Sequence, residues 1–411
     1  MNNPRINQSR LWDSLMEMAK IGATEKGGCC RLALTDIDKQ GRDLFIDWCI
    51  KAGCSIHIDK MGNIFARREG SEQRVAAIGT GSHLDTQPTG GKFDGIYGCL
   101  AGLEVIRSLN DQNITTSRPI EVSVWTNEEG SRFAPAMVSS GVYSGKFDLE
   151  YAHQQIDSDG ISIAEALRAI GYMGDDEVGQ RDLHKFFELH IEQGPVLEQE
   201  NKQVGIVTGV LGMRWYDVTL TGTSAHAGPT PMSYRKDALY AATQVFNELY
   251  QIAERGEAEG ARCTVGELAI IKGSRNVIPG DVTFTLDLRH AELAGLSDLE
   301  VQAKQVIKNV AESTGVEIKL DNIWDSPPVA FNDDCIAAVS HAVENSGLTY
   351  QRLVSGAGHD AVNIASVVPT SMIFIPSIGG ISHNESEYSS PDQVGDGCQI
   401  LFDVILNEAN K

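Results

Sequence analysis

The sequence predicts an α/β protein in which a doubly wound mixed sheet is interrupted by an inserted α+β ferredoxin-like domain. Three observations indicate this fold class. Strand-like and helix-like segments alternate up to Ile191, the order changes to β-α-β-β-α-β from about Leu211 to Trp324, and the first alternation resumes after Pro328. The predicted boundaries are 1–211 and 327–411 for the larger domain and 212–326 for the inserted domain.

The individual elements follow the spacing of apolar residues, which recur every three to four positions in helices and form short runs in strands. In the larger domain the predicted helices are 11–22, 40–53, 98–110, 162–170 and 335–346, and the predicted strands are 63–67, 75–79, 120–126, 185–191 and 370–376. In the inserted domain the predicted strands are 214–222, 262–272, 281–290 and 316–324, and the predicted helices are 236–255 and 297–314.

Composition excludes several classes of partner. The chain of 411 residues carries 34 Lys and Arg against 56 Asp and Glu, and the resulting charge of −22 repels phosphate backbones and anionic lipids. Neither nucleic acid nor a membrane is therefore an expected partner. The start lacks a signal-peptide pattern, no run of about 18 apolar residues occurs, and the eight cysteines form no C-x-x-C pair. These features predict a cytoplasmic protein with reduced thiols.

The first motif with chemical potential is Gly81-Ser-His-Leu-Asp-Thr86, followed by Asp94 in a glycine-rich segment. Strand alternation would place His83 and Asp85 on one face, so that Asp85 orients an imidazole whose other nitrogen binds a metal. A carboxylate in a tight glycine turn, such as Asp94, is free to bridge two cations. The alternative interpretation is a strand-end hydrogen bond for His83 and a turn role for Asp94.

The second motif is Trp125-Thr-Asn-Glu-Glu-Gly130, where an apolar strand ends in two adjacent carboxylates. Adjacent side chains at a strand tip point in different directions, so one can bind a metal while the other takes a proton from water. We assign Glu129 as the ligand and Glu128 as the general base. The alternative is a solvated surface pair.

Two further histidines follow strand-like runs: His190 in Phe187–Gly194, and His383 in the glycine-rich segment after the strand 370–376. Alone, the first could be a buried core residue and the second a loop residue. The full set nevertheless matches the needs of a two-metal hydrolase, which are five ligands and a spare base. The three imidazoles and two carboxylates that would supply the ligands are His83, His190, His383, Asp94 and Glu129.

Six strings carry a family resemblance: GSHLDTQPTGGKFDG, NEEGSRF, ELHIEQG, SAHAGPTPM, GAGHD and GISHNESE. In this order they resemble the N-carbamoyl-L-amino-acid hydrolase, β-ureidopropionase and allantoate amidohydrolase family, a branch of the two-zinc aminopeptidase and aminoacylase group. The resemblance covers essentially the whole chain. It implies the same five ligands, with Asp94 bridging two divalent ions and Glu128 as catalytic glutamate. Zinc is the first expectation, and manganese, cobalt or nickel would suit the same ligands.

The resemblance also implies substrate contacts and an assembly. His226, Asn276 and Arg289 would contact the substrate, with Arg289 holding its carboxylate and His226 stabilising the developing oxyanion, while Gln193 and His359 would contact the ureido group. The inserted domain would serve as a lid and as the interface of a homodimer, so that some contacts come from the partner subunit. The alternatives are a surface ion pair for Arg289 and turn-stabilising roles for His226 and Asn276.

The implied reaction is hydrolysis of the carbamoyl (ureido) group of an N-carbamoyl-L-amino acid or N-carbamoyl-β-alanine to the free amino acid, ammonia and CO2. Allantoate, which also carries ureido groups and a carboxylate, is the alternative substrate. A peptidase or aminoacylase activity is a third possibility. A metal-retaining binding module without turnover is a fourth, which the presence of Glu128 argues against because binding alone needs no base.

Overall fold

A computed structural model describes residues 4–72 and 74–411 of the chain. It divides into two compact units, of which the first ends at Thr208 and resumes at Phe331, and the second spans Gly209–Ala330. The insertion predicted at 212–326 lies within the second unit. Within the described ranges, every helix is too short or too polar to cross a membrane.

The elements are as follows in chain order. The helices are α1 (Gln8–Met18), α2 (Asp36–Lys51), α3 (Ile96–Asp111), α4 (Val138–Tyr143), α5 (Leu149–His153), α6 (Ile163–Ile170), α7 (Val196–Gln199), α8 (Ala238–Arg255), α9 (Leu293–Thr314), α10 (Asp333–Ser346), α11 (Asp360–Ile364) and α12 (Pro391–Glu408). The strands are β1 (Ser55–Ile58), β2 (Ile64–Arg68), β3 (Ala77–His83), β4 (Ile120–Trp125), β5 (Leu183–Ile191), β6 (Val204–Val210), β7 (Gly212–Thr221), β8 (Ala225–His226), β9 (Arg262–Thr264), β10 (Leu268–Ile271), β11 (Val277–Ile278), β12 (Asp281–His290), β13 (Glu317–Ser326), β14 (Val329–Ala330), β15 (Tyr350–Ser355) and β16 (Thr370–Ile375).

The first unit is built on a mixed sheet in the order β1-β2-β4-β3-β5-β16-β6, with β15 also paired to β6. The central strands β4, β3, β5 and β16 run parallel, whereas β2 and β6 join them antiparallel. Helices α3 and α12 pack on the central strands, and α4 and α11 contribute Tyr143 and Ile364 to a cluster around the buried Trp125 and Phe186. The predicted mixed α/β architecture is confirmed.

Several predicted boundaries are wrong by a few residues because side-chain caps start the helices earlier than the apolar pattern does. Helix α1 begins after Asn7, whose side chain accepts from the Arg10 N–H, and α2 begins after Thr35, whose hydroxyl accepts from the Asp38 N–H. Strand β3 lies later than the predicted 75–79 and ends at His83. The histidine is therefore the last residue of a buried strand.

The second unit contains an antiparallel sheet in the order β10-β12-β7-β13, with β9 also paired to β12. Alternate residues of β12 point inward, so that Val282, Phe284, Leu286 and Leu288 are buried in a core shared with α8 and α9. The element order is β-α-β-β-α-β when β9 and β10 are taken as one interrupted strand, which is the order the sequence predicts.

The single strand predicted at 262–272 is wrong, because a bulge divides it. Thr264 pairs with Asp287, while Leu268, four residues later, pairs with Phe284, three residues earlier on the partner strand. The extra residue lies around Gly266, where the Glu267 N–H donates to the Thr285 hydroxyl at 3.0 Å. One additional residue on one strand is the definition of a β-bulge, and glycine is common there.

Candidate metal centre and active site

The candidate site of the first unit lies at the carboxyl ends of its parallel strands, where open α/β sheets usually bind ligands. His83 ends β3, His190 is the second-last residue of β5, and Glu128 and Glu129 follow β4. His383 lies in the segment after β16. Segments far apart in the chain thus converge because the parallel strands share one edge.

The Asp94 carboxylate lies between two groups of possible ligand atoms. Its Oδ1 is 3.2 Å from His190 Nε2 and 3.7 Å from His83 Nε2. Its Oδ2 is 3.4 Å from His383 Nε2, which is itself 3.4 Å from Glu129 Oε2. Atoms that each lie about 2.0–2.2 Å from one tetrahedral zinc ion are about 3.3–3.6 Å apart. The imidazole and carboxylate donors therefore fit two divalent cations that share Asp94.

Main-chain carbonyls orient two of the imidazoles. His83 Nδ1 lies 2.9 Å from the Asp85 carbonyl oxygen, and His190 Nδ1 lies 2.9 Å from the Ile191 carbonyl oxygen. Each contact places a ring proton on Nδ1, and Nε2 faces Asp94. His190 Nε2 also lies 3.2 Å from the Gly95 N–H. Gly95 allows this approach, since a Cβ there would lie 2.3 Å from the His83 ring.

The predicted role of the Asp85 carboxylate is wrong. Its two oxygens accept from the Glu128 N–H at 3.3 Å and the Glu129 N–H at 3.2 Å, whereas the contact to His83 Nδ1 is made by the Asp85 main-chain carbonyl. The reason is that β3 ends at His83, so strand alternation does not extend to residue 85. Asp85 instead connects the end of β3 to the segment that carries the two glutamates.

The two adjacent glutamates face different neighbours. Glu129 joins the group formed with Asp94 and His383, and its carboxylate accepts from the Gln87 main chain at 3.1 Å and side chain at 2.7 Å. Glu128 lies outside both ligand groups, with Oε2 at 3.6 Å from His83 Nε2. This arrangement is compatible with the assigned roles, Glu129 as ligand and Glu128 as base, which stay predictions.

Strained backbone accompanies these side chains. Asn127, Gln193 and His383 have φ values of +58°, +57° and +53°, in the left-handed region that non-glycine residues seldom adopt. Such conformations cluster at functional sites, where the surrounding structure holds them. The Asn127 side chain supplies one such restraint by donating to the Phe133 carbonyl at 2.8 Å.

Two of the predicted substrate contacts lie beside this cluster. Gln193 Nε2 donates to Asp94 Oδ2 at 2.8 Å. The His359 ring packs edge-on against His190 with centroids 4.6 Å apart, and its Nε2 lies 2.9 Å from the Ser355 hydroxyl. Both residues are therefore close enough to the candidate ligands to contact a molecule bound there.

The other three predicted contacts belong to the second unit, which brings only two of them together. His226 pairs with Val277 across the β8–β11 ribbon, and the Asn276 carbonyl accepts from the Ala227 N–H at 2.9 Å. Arg289 lies near the far end of β12, eight residues beyond Asp281, or about 26 Å at about 3.3 Å per residue.

Arg289 also makes the ion pair that was the alternative interpretation of its role. Its Nη2 is 2.7 Å from an oxygen of the Asp287 carboxylate, two residues away on β12. The side chain is one-quarter exposed, so the ion pair lies at the surface of the unit.

The structure adds a buried carboxyl layer that the sequence analysis did not identify. Glu188 is buried, and its two oxygens accept from the Ser82 hydroxyl at 2.7 Å and the Ala361 N–H at 3.0 Å. A signal existed, because a glutamate two positions before His190 in an apolar strand shares the face of that histidine. Glu387 is a second carboxylate of this kind, buried beside the main chain of Asp94.

The electrostatics of the cluster favour cations. Burial raises the pKa of Glu128 well above its ordinary value, and the neighbouring Asp360 and Glu129 carboxyls add to this shift. Burial and the charge of Asp94 raise the pKa of Glu129 to about 8. Burial alone would lower the pKa of His190, but Asp94 outweighs it and raises that pKa to about 9. The metal-free cluster therefore retains protons that a divalent ion would displace.

Metal binding is expected to release protons and to strengthen as the pH rises from 6 to 8. The pKa of Glu129 is about 4.5 in the unfolded chain and about 8 in the folded, metal-free protein. Ionisation of Glu129 therefore favours the unfolded chain, and the free energy of unfolding of the metal-free protein falls as the pH rises from about 4.5 towards about 8. The hydrogen bond to Asp94 similarly raises the pKa of His383 to about 9, and the stabilisation it contributes below pH 6.5 is lost as the pH rises through 9.

The measurement is the shift in melting temperature on adding Zn²⁺ at pH 6 and at pH 8, together with proton release in weakly buffered solution. A larger shift at pH 8 is the expected result. An equal shift at both pH values, without proton release, would contradict the proposed ligands.

Comparison with known proteins identifies the family. The model of the peptidase family M20/M25/M40 matches residues 79–407. The chain belongs to this family. It is 47% identical to an N-carbamoyl-L-amino-acid amidohydrolase of Rhizobium meliloti, over 99% of this chain and 98% of that protein. It is 34% identical to the allantoate amidohydrolase of Escherichia coli K12, over 95% of each chain.

A solved structure is similar to this chain over its whole length. A hydantoinase/carbamoylase family amidase from Burkholderia multivorans superimposes with a TM-score of 0.97 at 52% identity, covering 99% of each chain. The resemblance stated from the six sequence strings is thereby confirmed.

Proposed function

We propose that this chain is a metal-dependent amidohydrolase that removes the carbamoyl group from N-carbamoyl amino acids, releasing the amino acid, ammonia and CO2. One observation carries the proposal: Asp94 lies between two groups of ligand atoms while Glu128 stays outside both, beside His83. A hydrolase needs such a free base, whereas a site that only binds does not. The 47% identity to a protein named N-carbamoyl-L-amino-acid amidohydrolase supports the substrate class.

The proposed cofactor is a pair of divalent cations, one with His83 and His190 and the other with Glu129 and His383, both sharing Asp94. Zinc suits these ligands best, and manganese, cobalt or nickel are compatible with them. When bound, such ions polarise the ureido carbonyl and lower the pKa of a water molecule from about 15.7 towards about 7.

The chain's own residues would perform the remaining steps. Glu128 accepts a proton from the water that attacks the ureido carbon and delivers it to the leaving nitrogen. His226 would stabilise the oxyanion that develops during attack.

Substrate recognition would combine residues from both units. Gln193 Oε1 is buried and has no hydrogen-bond partner within 4–72 and 74–411, so it can accept from a ureido N–H. His359 lies beside the same cluster, and Asn276 would add a contact to the substrate. Arg289 offers the planar, bidentate donors that suit the substrate carboxylate.

We further propose a homodimer in which the second unit is both interface and lid. Strand β10 pairs only with β12 among the described strands, so its other edge has unpaired main-chain groups. Leu268 and Ile270 share the face of the buried Phe284 and Val282, yet they are 48% and 43% exposed. The distance of about 26 Å between the ends of β12 exceeds the length of a small ureido substrate, so Arg289 and the His226–Asn276 pair would serve different sites of the dimer.

The dimer interface predicts that Ile270→Asp shifts the protein to a monomer, because a charge on an exposed edge strand prevents strand pairing. The measurement is molar mass by light scattering after size exclusion, with ammonia release assayed on the same fractions. Activity should fall with the dimer, since the partner's contacts are lost.

The matched control is Ile323→Asp on β13, the opposite edge of the same sheet, where Ile323 is 54% exposed. It should leave the mass unchanged. A wild-type protein that is monomeric at working concentration, or an Ile270→Asp variant that stays dimeric, would contradict this interface.

The test of the proposed activity is ammonia release from N-carbamoyl-L-methionine, N-carbamoyl-β-alanine and allantoate, with and without chelator. We expect turnover of a carbamoyl amino acid that stops on chelation. Turnover of allantoate alone would favour the second candidate, which the 34% identity to an allantoate amidohydrolase supports. Turnover of none of the three, with metal present, would refute the proposal.

Location stays a prediction from the sequence. All eight cysteines are free thiols, which is typical of a reducing compartment and supports the cytoplasm. The partners proposed are limited to the ureido substrate and a second copy of the chain.

A further inference from the structure

Glu387 lies next to the candidate metal centre and is buried, with an exposed fraction of only 4%. No step of the proposed reaction uses its carboxylate. We propose that it is a positioning residue, which holds the bridging Asp94 and the segment carrying His383 in one fixed arrangement. The inference rests on the two-metal centre of the proposed function and assigns a role to a residue outside the ligand set.

The contacts of Glu387 enclose Asp94 from both ends. Its Oε1 accepts from the Phe93 N–H and the Asp94 N–H, each at 3.1 Å. Its Oε2 lies 2.9 Å from the Ser382 hydroxyl oxygen, which lies 3.0 Å from Asp94 Oδ2. The Ser382 hydroxyl has one proton, which it can donate to either carboxylate but not to both at once. Glu387 therefore holds the Asp94 main chain through two N–H groups and reaches the Asp94 carboxylate through the shared Ser382 hydroxyl, so both the position and the rotation of the bridging side chain are restrained.

The same carboxylate restrains the His383 segment. Ser382 precedes His383, and the Glu387 N–H donates to the Asn384 carbonyl at 3.0 Å, closing a turn directly after the histidine. His383 adopts a left-handed φ of +53°, a conformation that a non-glycine residue keeps only when its surroundings hold it. The link from Glu387 to Ser382 supplies such a restraint next to the residue that needs it.

The Asp94 segment approaches Glu387 closely enough to require glycine. A Cβ on Gly91 would lie 2.0 Å from Glu387 Oε1 and 2.2 Å from its carboxyl carbon. The carboxyl group therefore packs directly on the main chain of Gly90–Asp94 and accepts hydrogen bonds from two of its N–H groups. This close packing explains the glycine at position 91, the second of the pair that precedes the bridging aspartate in the sequence.

Replacing a residue that is hydrogen-bonded to a metal ligand typically lowers the affinity for the metal by about 10- to 100-fold. We expect Glu387→Gln, which keeps the volume and one acceptor oxygen but removes the charge, to weaken metal binding by this factor. Ser382→Ala should weaken the binding of only one of the two ions. The reason is that, of the two Asp94 oxygens, Ser382 contacts only the one that faces His383 and Glu129. Neither substitution removes a proposed ligand.

The experiment titrates metal-free protein with Zn²⁺ against a chromophoric chelator and reports stoichiometry and Kd for each ion. The matched control is Glu385→Gln, two positions earlier in the same segment, where the side chain faces Lys26 at 3.7 Å. The control should bind as the wild type does. The melting temperature of each metal-free variant separates a local effect on the metal centre from general destabilisation.

Three results would overturn the inference. The first is that Glu387→Gln binds both ions as tightly as the wild type does. The second is that Glu385→Gln loses as much metal affinity as Glu387→Gln. The third is that metal-free Glu387→Gln melts at a lower temperature while its metal affinity is unchanged, which would mean a purely structural role. Should Glu387→Gln fail to fold, Ser382→Ala decides, and unchanged affinity for both ions would overturn the proposal.

Parallel measurements on the wild type separate this inference from the proposed function. If the wild type binds two ions and releases ammonia while Glu387→Gln binds as tightly, only the positioning role fails. If the wild type binds two ions without turning over any ureido substrate, the proposed reaction fails while the affinity data still decide the role of Glu387. A wild type that binds no metal would overturn both.

Discussion

Glu128→Gln is expected to lower kcat by about 10²–10⁴-fold while the metal content stays at the wild-type level. The glutamine keeps the shape of the side chain but cannot accept the proton of the attacking water. Glu128 lies outside both ligand groups, so its replacement should not release an ion. The measurement is kcat for ammonia release, together with metal analysis of the same preparation.

The adjacent glutamate provides the matched control. Glu129→Gln should lose affinity for the ion shared with Asp94 and His383, because Glu129 Oε2 lies 3.4 Å from His383 Nε2. The two variants, which differ in position by one residue, thus separate a defect in proton transfer from a defect in metal binding. Undiminished kcat in Glu128→Gln, or loss of metal from it, would refute the assignment of the base.

Asp94→Ala is expected to lose both metal ions and to reduce turnover to background. Each of its oxygens faces one group of ligands, Oδ1 towards His83 and His190 and Oδ2 towards His383. Metal ions contribute several kcal/mol of transition-state stabilisation. At about 1.4 kcal/mol per tenfold, turnover should fall by about a thousandfold or more. The measurement is metal content after dialysis, with ammonia release before and after added Zn²⁺.

Two single-site variants complete the test of the bridge. His383→Ala should lose one ion and His190→Ala the other, because these imidazoles belong to different groups around Asp94. Retention of both ions in Asp94→Ala, or loss of both in His383→Ala, would contradict a shared carboxylate.

The sequence predicted most of the fold because its elements are amphipathic and separated by clear turns. Strands such as β4 and β16 are buried along their whole length and have the predicted extents to within one residue. The errors arise where side chains override this pattern. Capping by Asn7 and Thr35 moved two helix starts, and the bulge at Gly266 divided one strand. Such local hydrogen bonds do not appear in apolar spacing.

The candidate site likewise has features that the sequence predicted and features that it did not. Residue type and position at strand ends pointed to the three imidazoles and two carboxylates, and the structure places the other four around Asp94. The function of the Asp85 carboxylate was misassigned, because it depends on where β3 ends rather than on alternation. The contacts of Glu387 were missed, because the residues it holds lie about three hundred positions away.

The sequence alone determined the chemistry of the site, namely which side chains are present, which strand ends carry them, and which family they resemble. Strand ends of a parallel sheet meet at one edge, so this much follows from the order of the elements. The three-dimensional arrangement set which oxygen of Asp94 meets which imidazole, which carbonyl orients His83, and which buried carboxylate holds the bridge. These contacts depend on the backbone positions of distant segments to within a few tenths of an ångström, and no local pattern encodes such positions.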